Sequence, residues 1–157
     1  MRIMVELGQR EGDESTSARE ISRRTAVPKA FLHKIVAELG RASLVRTYSG
    51  STGGLVLARP ASTISALEII EAIEGPICLN VCLLRPHECP RDMICPAHSL
   101  WGRLQQAVVT ELQETTLAQL AEEAMALKKQ PQRPSNVAYL FPASFERTAR
   151  ADRTAHS

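Results

Sequence analysis

Apolar residues fall at helical intervals from the start of the chain. Ile3, Met4 and Leu7 share one face of a short helix predicted over residues 1–7 and closed by Gly8. The polar run Gly12, Asp13, Glu14 and Ser15 predicts a loop. Ser17 and Glu20 stand three apart, the spacing of a capping box. In that motif the hydroxyl accepts the third amide and the carboxylate reaches back, so a helix over 17–25 is expected. Ala26 and Val27 make a tight turn. Pro28 is placed in the first turn of the next helix, where its missing N–H would have no partner in any case. Leu32, Ile35, Val36 and Leu39 carry that helix to about Arg41.

The period then changes. Residues 44–48 and 55–58 are short β-type runs around Ser49-Gly50-Ser51-Thr52-Gly53-Gly54, which reads as a hairpin turn. Ser65 and Glu68 form a second capping box. Leu67, Ile70 and Ile73 give its helix an apolar stripe, and Gly75-Pro76 ends it. Residues 77–97 read as irregular. A long helix is expected over about 97–114, with Trp101, Leu104, Val108 and Leu112 on one face, and a further helix over 117–127 capped by Thr116. From Lys128 on, Pro, Arg, Ser and Ala without periodicity predict a mostly disordered tail. The expected fold is mainly α with a small β-hairpin. Its divisions are 1–75 as a winged helix-turn-helix, 76–97 as a cysteine-rich loop, 98–127 as dimerisation helices and 128–157 as the tail.

Composition adds limits. With 157 residues, 44% hydrophobic and 23% charged, the chain has the make-up of an ordinary globular protein, and 4% aromatics imply an aliphatic core. No apolar run approaches the roughly 18 residues of a membrane span. No charged-then-apolar-then-small leader pattern opens the chain, so a cytoplasmic location is expected. There, thiols stay reduced, and four cysteines point to metal or redox chemistry rather than disulfides. No paired carboxylates, nucleophile–base arrangement or phosphate loop is visible, so no enzyme is expected.

The net charge of +2 hides an asymmetry. Residues 17–59 hold eight basic side chains and two acidic ones, while the remainder is net acidic. A basic module of this kind suits nucleic acid. Helix, tight turn, helix and hairpin make the winged helix-turn-helix layout, in which the second helix enters the major groove. Lys29, Ala30, His33 and Lys34 are the expected reading residues. Arg19, Arg23 and Arg24 suit phosphates. Arg46 and Arg59 flank the wing, whose glycines, Gly53 and Gly54 among them, would let backbone approach phosphates, and Ser49 at its turn is a further expected DNA contact.

Cys82, Cys89 and Cys95 are separated by six and five residues. His98 follows Cys95 after two, and Cys78 precedes Cys82 by three. Clustered soft thiolates suit an iron–sulfur cluster or zinc, and wide gaps let a loop surround a cluster. Two tighter pairs, Cys78 with Cys82 and Cys95 with His98, keep a zinc site open.

These residues together resemble the Rrf-two family of transcription regulators, of the IscR, NsrR and RirA type. The likeness rests on Ser17-Ala-Arg-Glu-Ile-Ser, Val27-Pro-Lys-Ala-Phe-Leu-His-Lys-Ile, Leu44-Val with Gly53-Gly54, the stretch 64–73, and Cys89, Cys95, His98 and Trp101 at their spacings. It covers residues 1 to about 127. The resemblance implies a homodimer joined by the long helix after the loop. It also implies a cluster, [2Fe–2S] or [4Fe–4S], held by Cys82, Cys89 and Cys95, with His98 where IscR-like members use histidine. Three features depart from the family. The Asp-Tyr-Ala stretch that supplies an aspartate ligand in NsrR-like members is absent, Ser49 stands where the wing usually has Arg, and Cys78 is additional. The expected protein is a regulator, and a repressor by preference, whose cluster state sets its affinity for operator DNA. Its rivals are a zinc-stabilised or thiol-sensing regulator and a small iron–sulfur redox protein, the last leaving the basic helix-turn-helix without a purpose.

Overall fold

The computed structural model describes residues 1–10, 15–50 and 53–130. In chain order the elements are α1 (Arg2–Gly8), α2 (Ala18–Thr25), α3 (Lys29–Arg41), β1 (Val45–Thr47), β2 (Leu55–Leu57), α4 (Ala66–Glu74), α5 (Val81–Leu84), α6 (Pro96–Glu114) and α7 (Leu117–Lys129). The expected class, mainly helical with one hairpin, is what the chain forms. Residues Met1–Met125 make one compact unit; of the second, Ala126–Ser157, only the first five residues are described. The tail expected from 128 begins inside α7, and residues 131–157 lie outside the described residues, as do the loop residues 11–14 and Ser51 and Thr52 of the hairpin turn.

Local chemistry accounts for most boundaries. Ser17 caps α2 by accepting the Glu20 amide at 3.2 Å. The return half of the expected box is replaced, because the Glu20 carboxylate accepts from Arg23 Nη2 at 2.7 Å and Arg24 Nε at 2.5 Å instead. At Ser65 the box is complete, with hydroxyl to Glu68 amide and carboxylate to Ser65 amide. The α2–α3 turn places Ala26 in the left-handed region at φ 55°, and Ser22 Oγ closes it by donating to Val27 O at 2.8 Å. Pro28 stands one residue earlier than expected. It is the residue before α3, and its carbonyl accepts the amides of Phe31 and Leu32.

β1 and β2 pair antiparallel with Val45 opposite Leu57 and Thr47 opposite Leu55. A third piece of chain joins them. Thr16 bridges Leu55, its amide donating at 3.0 Å and its carbonyl accepting at 2.8 Å. Ile3, Met4 and Leu7 of α1, Ile21, Leu32, Leu39, Leu44, Val45, Leu55, Ile64, Ile69 and Leu117 meet in a single core. The start of α7 closes it. Ala66 donates to Thr115 O and Leu117 to Ile64 O, both at 2.8 Å, so the heads of α4 and α7 are stitched together.

Residues 77–95, expected to be irregular, contain the single turn α5 and two 3-10 turns at Pro86–Glu88 and Asp92–Ile94. Asn80 caps α5 by accepting the Cys82 amide. The loop's beginning is tied to α6 through one side chain. Gln105 donates to Ile77 O at 2.6 Å and accepts from the Leu79 amide at 2.9 Å. The long helix α6 packs on α4 and α5, yet none of its residues is buried.

Candidate nucleic-acid interface and cysteine loop

The apolar stripe of α3 turns Leu32 and Leu39 into the core. The opposite side therefore faces outward, and Lys29, Ala30, His33 and Lys34 are all exposed on it. Phe31 is exposed as well, at 64%. It was not among the expected reading residues. The sequence signal is that it lies outside the stripe of Leu32, Ile35, Val36 and Leu39.

The arginines of α2 are less available than their number suggests. Arg19 is exposed and solvated. Arg23 and Arg24 share Glu20, and Arg24 also donates to Glu6 Oε1 at 3.0 Å. Glu6 is itself buried, so this ion pair anchors α2 on α1. Hydrogen bonds from Arg23 and then Arg24 hold the Glu20 carboxyl at about 2, well below the usual carboxylate range.

On the wing, Arg46 and Ser49 are exposed. Arg59 has a structural partner set, donating to Thr63 O and pairing with Glu68 at 2.5 Å. The close approach visible at the two wing glycines is to the protein's own chain. A Cβ on Gly53 would lie 2.4 Å from Tyr48 O, and one on Gly54 would lie 2.6 Å from Thr16 O.

In the loop, Cys78, Cys82, Cys89 and Cys95 are all half-buried, and no disulfide joins them. Cys78 Sγ donates to Asn80 O at 2.9 Å, within the loop itself. His98 is half-buried in the first turn of α6. Among the described residues, no three His, Cys, Asp or Glu side chains are gathered closely enough to share one metal ion. In donor chemistry, three thiols and an imidazole on a loop with wide spacings suit an iron–sulfur cluster or zinc.

A helix-turn-helix with a basic, exposed second helix and a hairpin wing defines a DNA-binding transcription regulator. Comparison with known proteins narrows the class: residues 1–123 match the Rrf2 family, described as iron-dependent transcriptional regulators, and the chain belongs to it. It is 34% identical to the transcriptional regulator CymR of Bacillus subtilis over 121 residues, 77% of this chain and 83% of that protein. The solved structure of that CymR, titled the global cysteine regulator, superposes with a TM-score of 0.64 over 78% of this chain and 89% of its own. IscR of Cereibacter sphaeroides is 41% identical over 75 residues, 48% of each chain. NsrR of Geobacillus kaustophilus is 27% identical over 129 residues, 82% of this chain and 88% of that one. No helix among the described residues is long and apolar enough to cross a membrane.

Proposed function

We propose that this regulator is a cytoplasmic homodimeric repressor whose operator affinity follows the state of an iron–sulfur cluster held by Cys82, Cys89 and Cys95, with His98 as the fourth ligand. Residues 1–75 read DNA, 76–97 sense and 98–127 pair the subunits. The observation that carries this reading is the position of the loop. Three half-buried cysteines lie between α4, which packs on α3, and α6, to which Gln105 ties the loop. When bound, a cluster supplies an iron centre open to oxidants or nitric oxide. The chain's part is to convert a change of loop order into a change of α3 position. Ile77 is held to α6 by the Gln105 amide, α6 packs on α4, and α4 packs on α3. Regulation requires only that the two loop states differ in operator affinity.

A second reading is a thiol-sensing or zinc-stabilised regulator; the likeness to CymR, described as a global cysteine regulator, favours its thiol-sensing form. Protein purified without oxygen separates the two. A brown solution with visible charge-transfer absorption, and iron lost in Cys82→Ala, Cys89→Ala and Cys95→Ala but kept in Cys78→Ala, is the expected outcome. A colourless protein whose operator affinity changes on oxidation, or one carrying stoichiometric zinc, establishes the second reading. Full iron in His98→Ala with an unchanged spectrum removes only the histidine.

A further inference from the structure

The two N-terminal turns of α3 expose a chemically one-sided set. Lys29 and Lys34 are donors with no acceptor, and His33 can donate from its ring in any protonation state. Ala30 and Phe31 add apolar surface. Asn, Gln, Asp and Glu are absent from residues 29–37. The first acid, Glu38, accepts from Arg41 at 2.5 Å at the far end of the helix. Ala30, His33, Lys34 and Ala37 lie three, four and seven positions apart and so share one exposed face. The two alanines on that face let the helix sit close to the groove floor.

The major groove distinguishes bases by their edges. Guanine shows two acceptors there, adenine an acceptor beside a donor, cytosine a donor and thymine a methyl group. Adenine is read by the donor–acceptor amides of Asn and Gln, and cytosine by carboxylates; α3 offers neither at its leading end. Resting on the DNA-binding reading above, we infer that each operator half-site presents guanine to His33 and Lys34 and, beside it, thymine to Ala30 and Phe31. Lys34 donates to guanine N7 or O6, and the Phe31 ring covers a thymine C5-methyl.

The test is selection of binding duplexes from a random library by the full-length protein, followed by base analogues in the enriched sequence. Expected are a half-site with guanine next to thymine, a fall in affinity of roughly tenfold when 7-deazaguanine removes the N7 acceptor, and a smaller fall when uracil replaces thymine. Phe31→Ala should abolish the thymine–uracil difference. Lys34→Gln, which supplies a donor–acceptor amide, should shift preference from guanine to adenine at one position. Enriched half-sites without guanine, or a preference unchanged in Lys34→Gln, overturn the inference while leaving DNA binding intact. Failure to enrich any duplex, with no salt-sensitive binding to generic DNA, overturns the DNA-binding reading itself.

Discussion

Two residues whose roles are set by immediate neighbours give direct tests. Gly54 lies where Thr16 crosses β2, and a methyl there would meet the Thr16 backbone at 2.6 Å. Backbone cannot move aside as a flexible side chain can, so Gly54→Ala should break the Thr16–Leu55 bridge. A loss of about 1–3 kcal/mol in denaturant unfolding is expected. Glu20 is half-buried and binds two guanidinium groups. Its carboxyl is depressed to about 2, so any stability it adds is present above its ordinary value of 4.5 and fades as pH falls from there toward 2. Wild type and Glu20→Gln should therefore unfold at midpoints that differ slightly at pH 7 and converge near pH 2. The same substitution releases Arg23 toward phosphates, while Arg24 keeps its pair with Glu6. It should raise affinity for generic duplex DNA, as fluorescence anisotropy would show.

At the scale of elements, α6 stands out as the longest helix with no buried residue. Leu100 is 45% exposed and Leu104 43%. A stripe of this kind is wet in one chain and dry in two, because identical stripes related by a two-fold axis cover each other. Sedimentation at micromolar concentration should give a dimer, and Leu104→Glu with Val108→Glu should give a monomer. A wild-type monomer there would refute the pairing role of α6. The elements also differ in how readily they could be read from the sequence. The stripe of α3 and the Ser65–Glu68 box were legible because helical spacing and capping act within a turn or two. The Ser17 box was only half realised, since Arg23 and Arg24 compete for the same carboxylate. The single turn α5 was missed because it is too short to show a period.

For the whole molecule, the basic surplus over residues 17–59 predicts how DNA binding responds to salt. Each phosphate neutralised by Lys or Arg releases counterions, so affinity should fall steeply and log-linearly with salt. With Arg24 and Arg59 already paired inside the protein, the slope should be shallower than a count of eight basic residues implies. Lys29→Ala with Lys34→Ala should weaken operator binding and flatten the slope further. Operator binding equal to wild type would show that α3 is not the reading helix. Among the cysteines, the spacing marked the loop as a unit, while the likeness to known regulators singled out Cys82, Cys89 and Cys95. The structure leaves all three half-buried on a loop tied to α6.

What the sequence determined by itself is local: where helices begin and end, which face of α3 is apolar, where the hairpin turns and which residues carry soft donors. Those properties depend on residues within about one helical turn of each other, and the sequence states that order directly. Tertiary structure alone decided that Thr16 adds a third piece of chain beside β2 and that Thr115 and Leu117 stitch α7 to α4. It also decided that Glu6 anchors α2 through Arg24 and that Gln105 ties the cysteine loop to α6. Each of these joins groups far apart in the chain. No spacing rule connects them, and only burial of the shared core brings their donors and acceptors within reach.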